Sequence, residues 1–134
     1  KDERILFAEM KDKVATMLPG DRLIRRNTKD RCLLFVIRGS FFGLGETFPA
    51  TKIIYNAGAV LGCEQFLNDD RWELDIICKD ENSVIAKLDY DSYCNMRESS
   101  PASAIKLYNR VVRNLTYKMI YDKKNNAEYY SKRM

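Results

Sequence analysis

Gly58-Ala59-Val60-Leu61-Gly62-Cys63-Glu64-Gln65-Phe66-Leu67-Asn68-Asp69-Asp70-Arg71-Trp72-Glu73-Leu74-Asp75-Ile76 is the most informative stretch of this chain. Two glycines four apart mark tight backbone. A short helix can open at Cys63, the polar run at 68–70 ends it, and a strand starts at Trp72. A glycine turn, a helix N-terminus and a strand suit an anion cradle, because backbone N–H groups converge there.

Downstream, Trp72, Leu74, Ile76 and Cys78 alternate with Glu73, Asp75 and Ile77, the pattern of a strand over 72–79. Asp80-Glu81-Asn82 reads as a hairpin turn and 83–88 as the returning strand. Upstream lie short strand candidates at 52–55, 40–44 and 22–26, separated by a loop with Pro49 and a polar turn at 27–30. The run Cys32-Leu33-Leu34-Phe35-Val36-Ile37 is apolar on both faces, as a central strand would be, and 40–44 reads as its tight-pair partner. Six to eight short strands predict a small sandwich or roll.

Helical periodicity holds at both ends. Ile5, Leu6, Met10, Val14, Met17 and Leu18 give an apolar stripe over 3–18, ended by Pro19-Gly20. Ser100 and Pro101 suit an N-cap and a first helical position. From there to about 121, Ile105, Tyr108, Val112, Leu115 and Met119 form a heptad-like seam, which serves either a homodimer or packing on the roll. The expected organisation is one domain over 1–134, mainly β with flanking helices. Its parts are a helix at 3–18, a β-roll at 20–88, helices at 89–121 and a tail at 122–134.

Composition narrows the function. The 134 residues carry a formal net charge of +4, with Lys and Arg concentrated in 106–133. That excess reads as a solvated helix face, so no nucleic acid is expected as partner of this segment. The chain has no histidine, and its four cysteines lack Cys-x-x-Cys spacing. No metal site, nucleophilic triad or catalytic residue is therefore expected. Cys32 and Cys78 sit in apolar runs, which indicates a reducing, intracellular setting. No apolar run is long enough to span a bilayer. The chain opens on Lys1, which suggests a piece of a larger protein.

Four short motifs in order carry a resemblance. Gly20-Asp21-Arg22-Leu23-Ile24, Leu34-Phe35-Val36-Ile37-Arg38-Gly39, the stretch around Gly62, and Leu88-Asp89-Tyr90-Asp91-Ser92-Tyr93 resemble the cyclic-nucleotide-binding domain family. That family includes the bacterial catabolite activator, protein kinase A regulatory subunits and cyclic-nucleotide-gated channels. The resemblance implies a jelly-roll-like β-roll and a regulatory, non-enzymatic role in a larger protein such as a channel or transporter. It also implies cAMP or cGMP as the ligand to consider and no other cofactor. In the family's phosphate-binding cassette a glutamate holds the ribose and an arginine pairs with the cyclic phosphate. Aligned without gaps, Gly62 takes the cassette glycine, Cys63 falls on the glutamate, Trp72 on the arginine and Asp75 on the threonine. The candidate ligand residues are Gly62, Cys63, Glu64, Gln65, Arg71, Trp72, Glu73 and Asp75, forming a degenerate cassette in which Trp72 fills the ligand's place. One alternative is a working cAMP or cGMP sensor that uses Glu64 and Arg71. Another is the sensor part of a transcription regulator.

Overall fold

The structure, a computed structural model, describes residues 14–45 and 52–116. Strands β1 (Val14–Met17), β2 (Arg22–Ile24), β3 (Cys32–Arg38), β4 (Ser40–Leu44), β5 (Lys52–Asn56), β6 (Val60–Leu61), β7 (Asp75–Cys78) and β8 (Ser83–Asp89) form two antiparallel sheets. One sheet is ordered β1-β8-β3-β6 and the other β2-β7-β4-β5. Helix α1 (Cys63–Asn68) follows β6, α2 (Tyr90–Ser99) follows β8, and α3 is described over 101–116. The molecule is mainly β with flanking helices, as its sequence implies.

The apolar run of β3 has a direct cause. Cys32, Leu34 and Val36 face the core between the sheets, with Phe41, Leu61, Trp72, Ile76 and Ile85. Leu33 faces the other way, into a second core with Ala86, Leu88, Phe66, Met96, Leu107 and Val111 beneath the helices. A strand covered on both sides has no polar face to alternate with.

Three expectations are corrected. Residues 14–17 are not the end of a helix: β1 pairs with β8, from Val14 opposite Ala86 to Met17 opposite Ser83. The backbone groups along that edge of β8 take a strand partner, and this outweighs the local 3.6-residue spacing of Val14, Met17 and Leu18. Residues 3–13 of the expected helix lie outside the described residues, as do 117–134. The second correction concerns 40–44. This segment does not pair with 32–37, because the chain changes sheet at Gly39. Third, 80–82 is likewise no hairpin turn but a crossing from β7 to β8. The two crossings are stitched together. Ser40 donates its N–H to the Ser83 hydroxyl (3.2 Å) and its own hydroxyl to the Asp80 carboxylate (2.6 Å), and Ser83 donates to the Asp80 carbonyl (2.8 Å). A Cβ on Gly39 would lie 2.8 Å from the Ser83 backbone, so the corner admits no side chain.

The strand expected from Trp72 begins only at Asp75, although the alternation of buried positions 72, 76 and 78 is kept. The last helices form as two, broken at Ser100, with Pro101 opening α3.

Candidate functional site

Gly62 ends β6 and caps α1 in a left-handed conformation (φ 89°). A Cβ there would sit 2.6 Å from the Cys32 carbonyl oxygen and 2.7 Å from the Trp72 ring. Any other residue would push the ring and the β3 backbone apart, so glycine here is a packing requirement. Trp72, 4% exposed, lies beneath this turn. Its indole N–H donates to the Asp30 carbonyl (2.8 Å). Its backbone is held on both sides: Asn27 donates to the Trp72 carbonyl (2.8 Å) and Trp72 donates to the Thr28 carbonyl (2.9 Å).

A cavity of about 520 Å³ opens beside this ring. Of the expected site residues, Gly62, Cys63, Glu64, Gln65, Trp72 and Glu73 line it. Trp72 is packed in the core between the sheets and also forms a wall of this cavity. Arg71 and Asp75 are not brought in. The Arg71 guanidinium is exposed and donates to the Asn27 carbonyl (2.8 Å), away from the cavity. The Asp75 carboxylate accepts the Arg26 backbone N–H (2.7 Å). Of the two residues a working sensor would use, Glu64 lines the cavity and Arg71 does not. Cys63 belongs to the core beneath the helices. The cavity also gains Tyr55, Leu74 and, from α3, Asn114 and Leu115. No motif marked these, because their approach depends on how β5 and α3 fold over the roll.

The other end of α1 is bound to its surroundings by a residue the sequence reading passed over. Arg31 donates from Nε to the Phe66 carbonyl (2.8 Å) and from Nη2 to the Leu67 carbonyl (3.4 Å). These are among the last carbonyls of α1, which have no partner within the helix. The same guanidinium stacks 3.4 Å from the centroid of the Tyr90 ring, at the start of α2. Phe66 meets Tyr90 and Tyr93 edge to face, at 5.4 and 5.2 Å. The signal in sequence is only an arginine placed just ahead of the central strand.

Next to Arg31, Asp30 pairs with Lys87 (2.8 Å). Burial, with the Asp30 carboxylate nearby, pushes the Cys32 thiol up to about 12. For Lys87, burial pulls the ammonium's pKa down, but the hydrogen bond to Asp30 and neighbouring negative charge outweigh it, and the net shift is upward.

Helix α3 packs Ala104, Leu107 and Val111 on the roll. Ile105, Tyr108 and Val112 point outward, 61%, 44% and 37% exposed. Leu115 packs against the core cluster, so it leaves the expected seam, and Met119 lies outside the described residues. Among the described residues no helix is long and apolar enough to cross a membrane, and no group of three potential metal ligands gathers.

No protein-family model matches the chain, and no curated protein sequence does. Solved structures do match. A cyclic nucleotide-binding domain from Methylobacillus flagellatus superposes with a TM-score of 0.80 at 16% identity, covering 91% of this chain and 70% of that one. The catabolite activator protein of Thermus thermophilus superposes at 0.71 and 12% identity, over 91% of this chain and 57% of that one. The regulatory subunit of a cAMP-independent protein kinase A from Trypanosoma brucei superposes at 0.56 and 22% identity, over 85% and 42%, and a triple mutant of it has been solved with cAMP in its A site. The chain spans little more than half of the Thermus regulator and less than half of the kinase subunit. These superpositions at low sequence identity show the fold: the chain has the fold of a cyclic-nucleotide-binding domain.

Proposed function

We propose that this domain is a regulatory or interaction module of a larger intracellular protein, and that it does not grip a cyclic phosphate in the usual way. The observation that carries this reading is Arg71, the one arginine of the cassette stretch, bonded to Asn27 outside the cavity while Trp72 holds the aligned position. No Lys or Arg is among the described residues that line the cavity. A guanidinium binds an oxyanion through two parallel hydrogen bonds, and an indole cannot replace it. A phosphate entering beside the exposed Glu73 would be repelled by about 1 kcal/mol at 4 Å even in water. The Trypanosoma subunit supports the reading by analogy: its kinase is cAMP-independent, and the triple mutant solved with cAMP has gained an arginine. The similar structures are regulatory domains, which favours a regulatory over an enzymatic role. The larger chain proposed is a channel or transporter, with a transcription regulator as the alternative that similar structures from such regulators support.

Thermal melts with cAMP and with cGMP test this. Ligand at a hundred times its dissociation constant adds about 2.7 kcal/mol. Millimolar nucleotide should leave the melting temperature unchanged, and a large saturable rise would restore the sensor reading.

A second copy of the chain is the partner proposed for the outer face of α3, because Ile105, Tyr108 and Val112 form an apolar stripe that the roll leaves exposed. Sedimentation should give a dimer that Ile105→Asp converts to a folded monomer. A wild-type monomer at high concentration removes this partner.

A further inference from the structure

We infer that the outer face of the sheet β2-β7-β4-β5 docks an acidic amphipathic helix of a partner protein. The inference goes beyond the reading above and does not depend on what the cavity holds. Phe41, Ile76 and Cys78 point into the core between the sheets, so Phe42 and Ile77 point outward. Phe42 stands opposite Ile77 on one side and Ile54 on the other. The three make an apolar row across three strands, and among the described residues they join neither core. Ile54 is 48% exposed. The other sheet differs: its outer side is buried under the helices, with Leu33, Ala86 and Leu88 in that core. A sheet face with an apolar row is ordinarily covered by a further layer.

Charge says what covers it. Arg22 stands opposite Ile77, at one end of the row. Lys52 stands beside Leu44 and Lys79 beside Ser40, at the two ends of β4. Both reach back over the row, with Nζ atoms 4.2 and 5.9 Å from the centroid of the Phe42 ring. All three cations are exposed. Asp75, the acid on this face, is turned to the Arg26 backbone N–H (2.7 Å), and Asp80, just past β7, accepts the Ser40 hydroxyl (2.6 Å). A partner with carboxylates on either side of an apolar stripe would meet Lys52 and Lys79 while the stripe packs on the row. A helix suits this face better than an extended peptide. It satisfies its own backbone groups, whereas a strand laid flat on a sheet finds no partners for them. Its width of about 10 Å matches the two strand spacings, about 10 Å, between Ile77 and Ile54. A bilayer suits it worse, because the Phe42 ring lies beneath the Lys52 ammonium and cannot lead into hydrocarbon.

Stapled helices of about four turns test this. One carries a leucine stripe flanked by glutamates, a second has lysines for the glutamates, and a third has serines for the leucines. Each is titrated into the chain and followed by backbone amide NMR shifts. The acidic helix should bind saturably, at least about tenfold tighter than either of the others, and should weaken as salt is raised. Its shifts should centre on residues 42, 44, 52, 54, 77 and 79. Lys52→Glu with Lys79→Glu, both at exposed positions, should cost the acidic helix about tenfold and pass the preference to the lysine helix, with circular dichroism unchanged. Ile54→Ser should weaken the acidic helix by about threefold or more, because packing and charge act together. The inference is overturned if the acidic helix fails to bind at millimolar concentration, if either other helix matches it, or if the shifts lie elsewhere. It is equally overturned if the charge-reversed chain keeps the acidic preference or if Ile54→Ser changes nothing. Phosphatidylserine vesicles that shift the same residues when the acidic helix does not would make the face a membrane surface and overturn it too. A large melting rise with cAMP would sink the reading above and leave this inference standing.

Discussion

The two ends of α1 are built differently. At its C-terminal end Arg31 occupies two helix carbonyls and stacks on Tyr90, and Phe66 is wedged between Tyr90 and Tyr93. At its N-terminal end Gly62 rests on the Trp72 ring, and Glu64 and Gln65 border open volume. The C-terminal end has its contacts within the chain, tying the segment to α2 and the helices. The N-terminal end borders the cavity, with a tryptophan where the resemblance places a cation. A six-residue helix is far too short to be stable alone, so its position is set by whichever of these contacts is stronger.

The largest effect should come from removing the ring beneath the turn. Trp72→Ala is expected to cost about 3–5 kcal/mol in denaturant unfolding, through lost contacts and a cavity. A loss below about 1 kcal/mol would mean the N-terminal end is not supported by Trp72. Arg31→Ala comes next, at about 2 kcal/mol, because two charge-assisted bonds and one cation–π contact go together. Arg31→Lys should recover little, since an ammonium cannot fork to both carbonyls. Equal stability of wild type and Arg31→Ala would dissolve the contrast between the two ends.

Alkaline titration sharpens the comparison near β3 and should have a smaller effect at its onset. Cys32 and Lys87 both have raised pKa values in the folded state. The folded chain therefore holds protons that the unfolded chain releases. Stability is full below about pH 9, the thiol's ordinary pKa, and falls as pH climbs from there toward about 12. Cys32→Ala should flatten the lower part of that decline, and an unchanged slope would exclude the thiol as its source. The smallest effect belongs to Arg71→Ala. This exposed side chain, with its bond to Asn27, should shift stability by less than about 0.5 kcal/mol and leave cAMP titrations unchanged. A changed titration would place Arg71 in the ligand's path after all.

Much of the segment was legible in the chain. The glycines at 58 and 62 both adopt positive φ, and Cys63 opens the helix, because glycine spacing and a polar break act within a few residues. The apolar run at 32–37 indicated a strand covered on both faces. The helical reading of 14–18 failed because four residues at ambiguous spacing follow whichever edge offers backbone partners, and that edge belongs to β8, nearly seventy residues away. The hairpin readings at 39 and 80–82 failed for a related reason. A tight turn between two strands looks alike in sequence whether the second strand folds back beside the first or leaves for the facing sheet.

Sequence alone determined the elements whose cause is local: the strand run, the two glycine turns, the helix starts at Cys63 and Pro101, and the absence of histidine that removes the commonest acid–base chemistry. Tertiary structure decided which way each side chain of the site faces. Arg71 and Trp72 are neighbours, and sequence offers both to the cavity. Trp72 is the one held inward, because Asn27 and Thr28 fix its backbone, Asp30 accepts its N–H and Gly62 closes over its ring. Arg71 is left to the solvent side. Asn27, Thr28 and Asp30 lie more than forty residues earlier in the chain, and only folding the two sheets together brings them to bear.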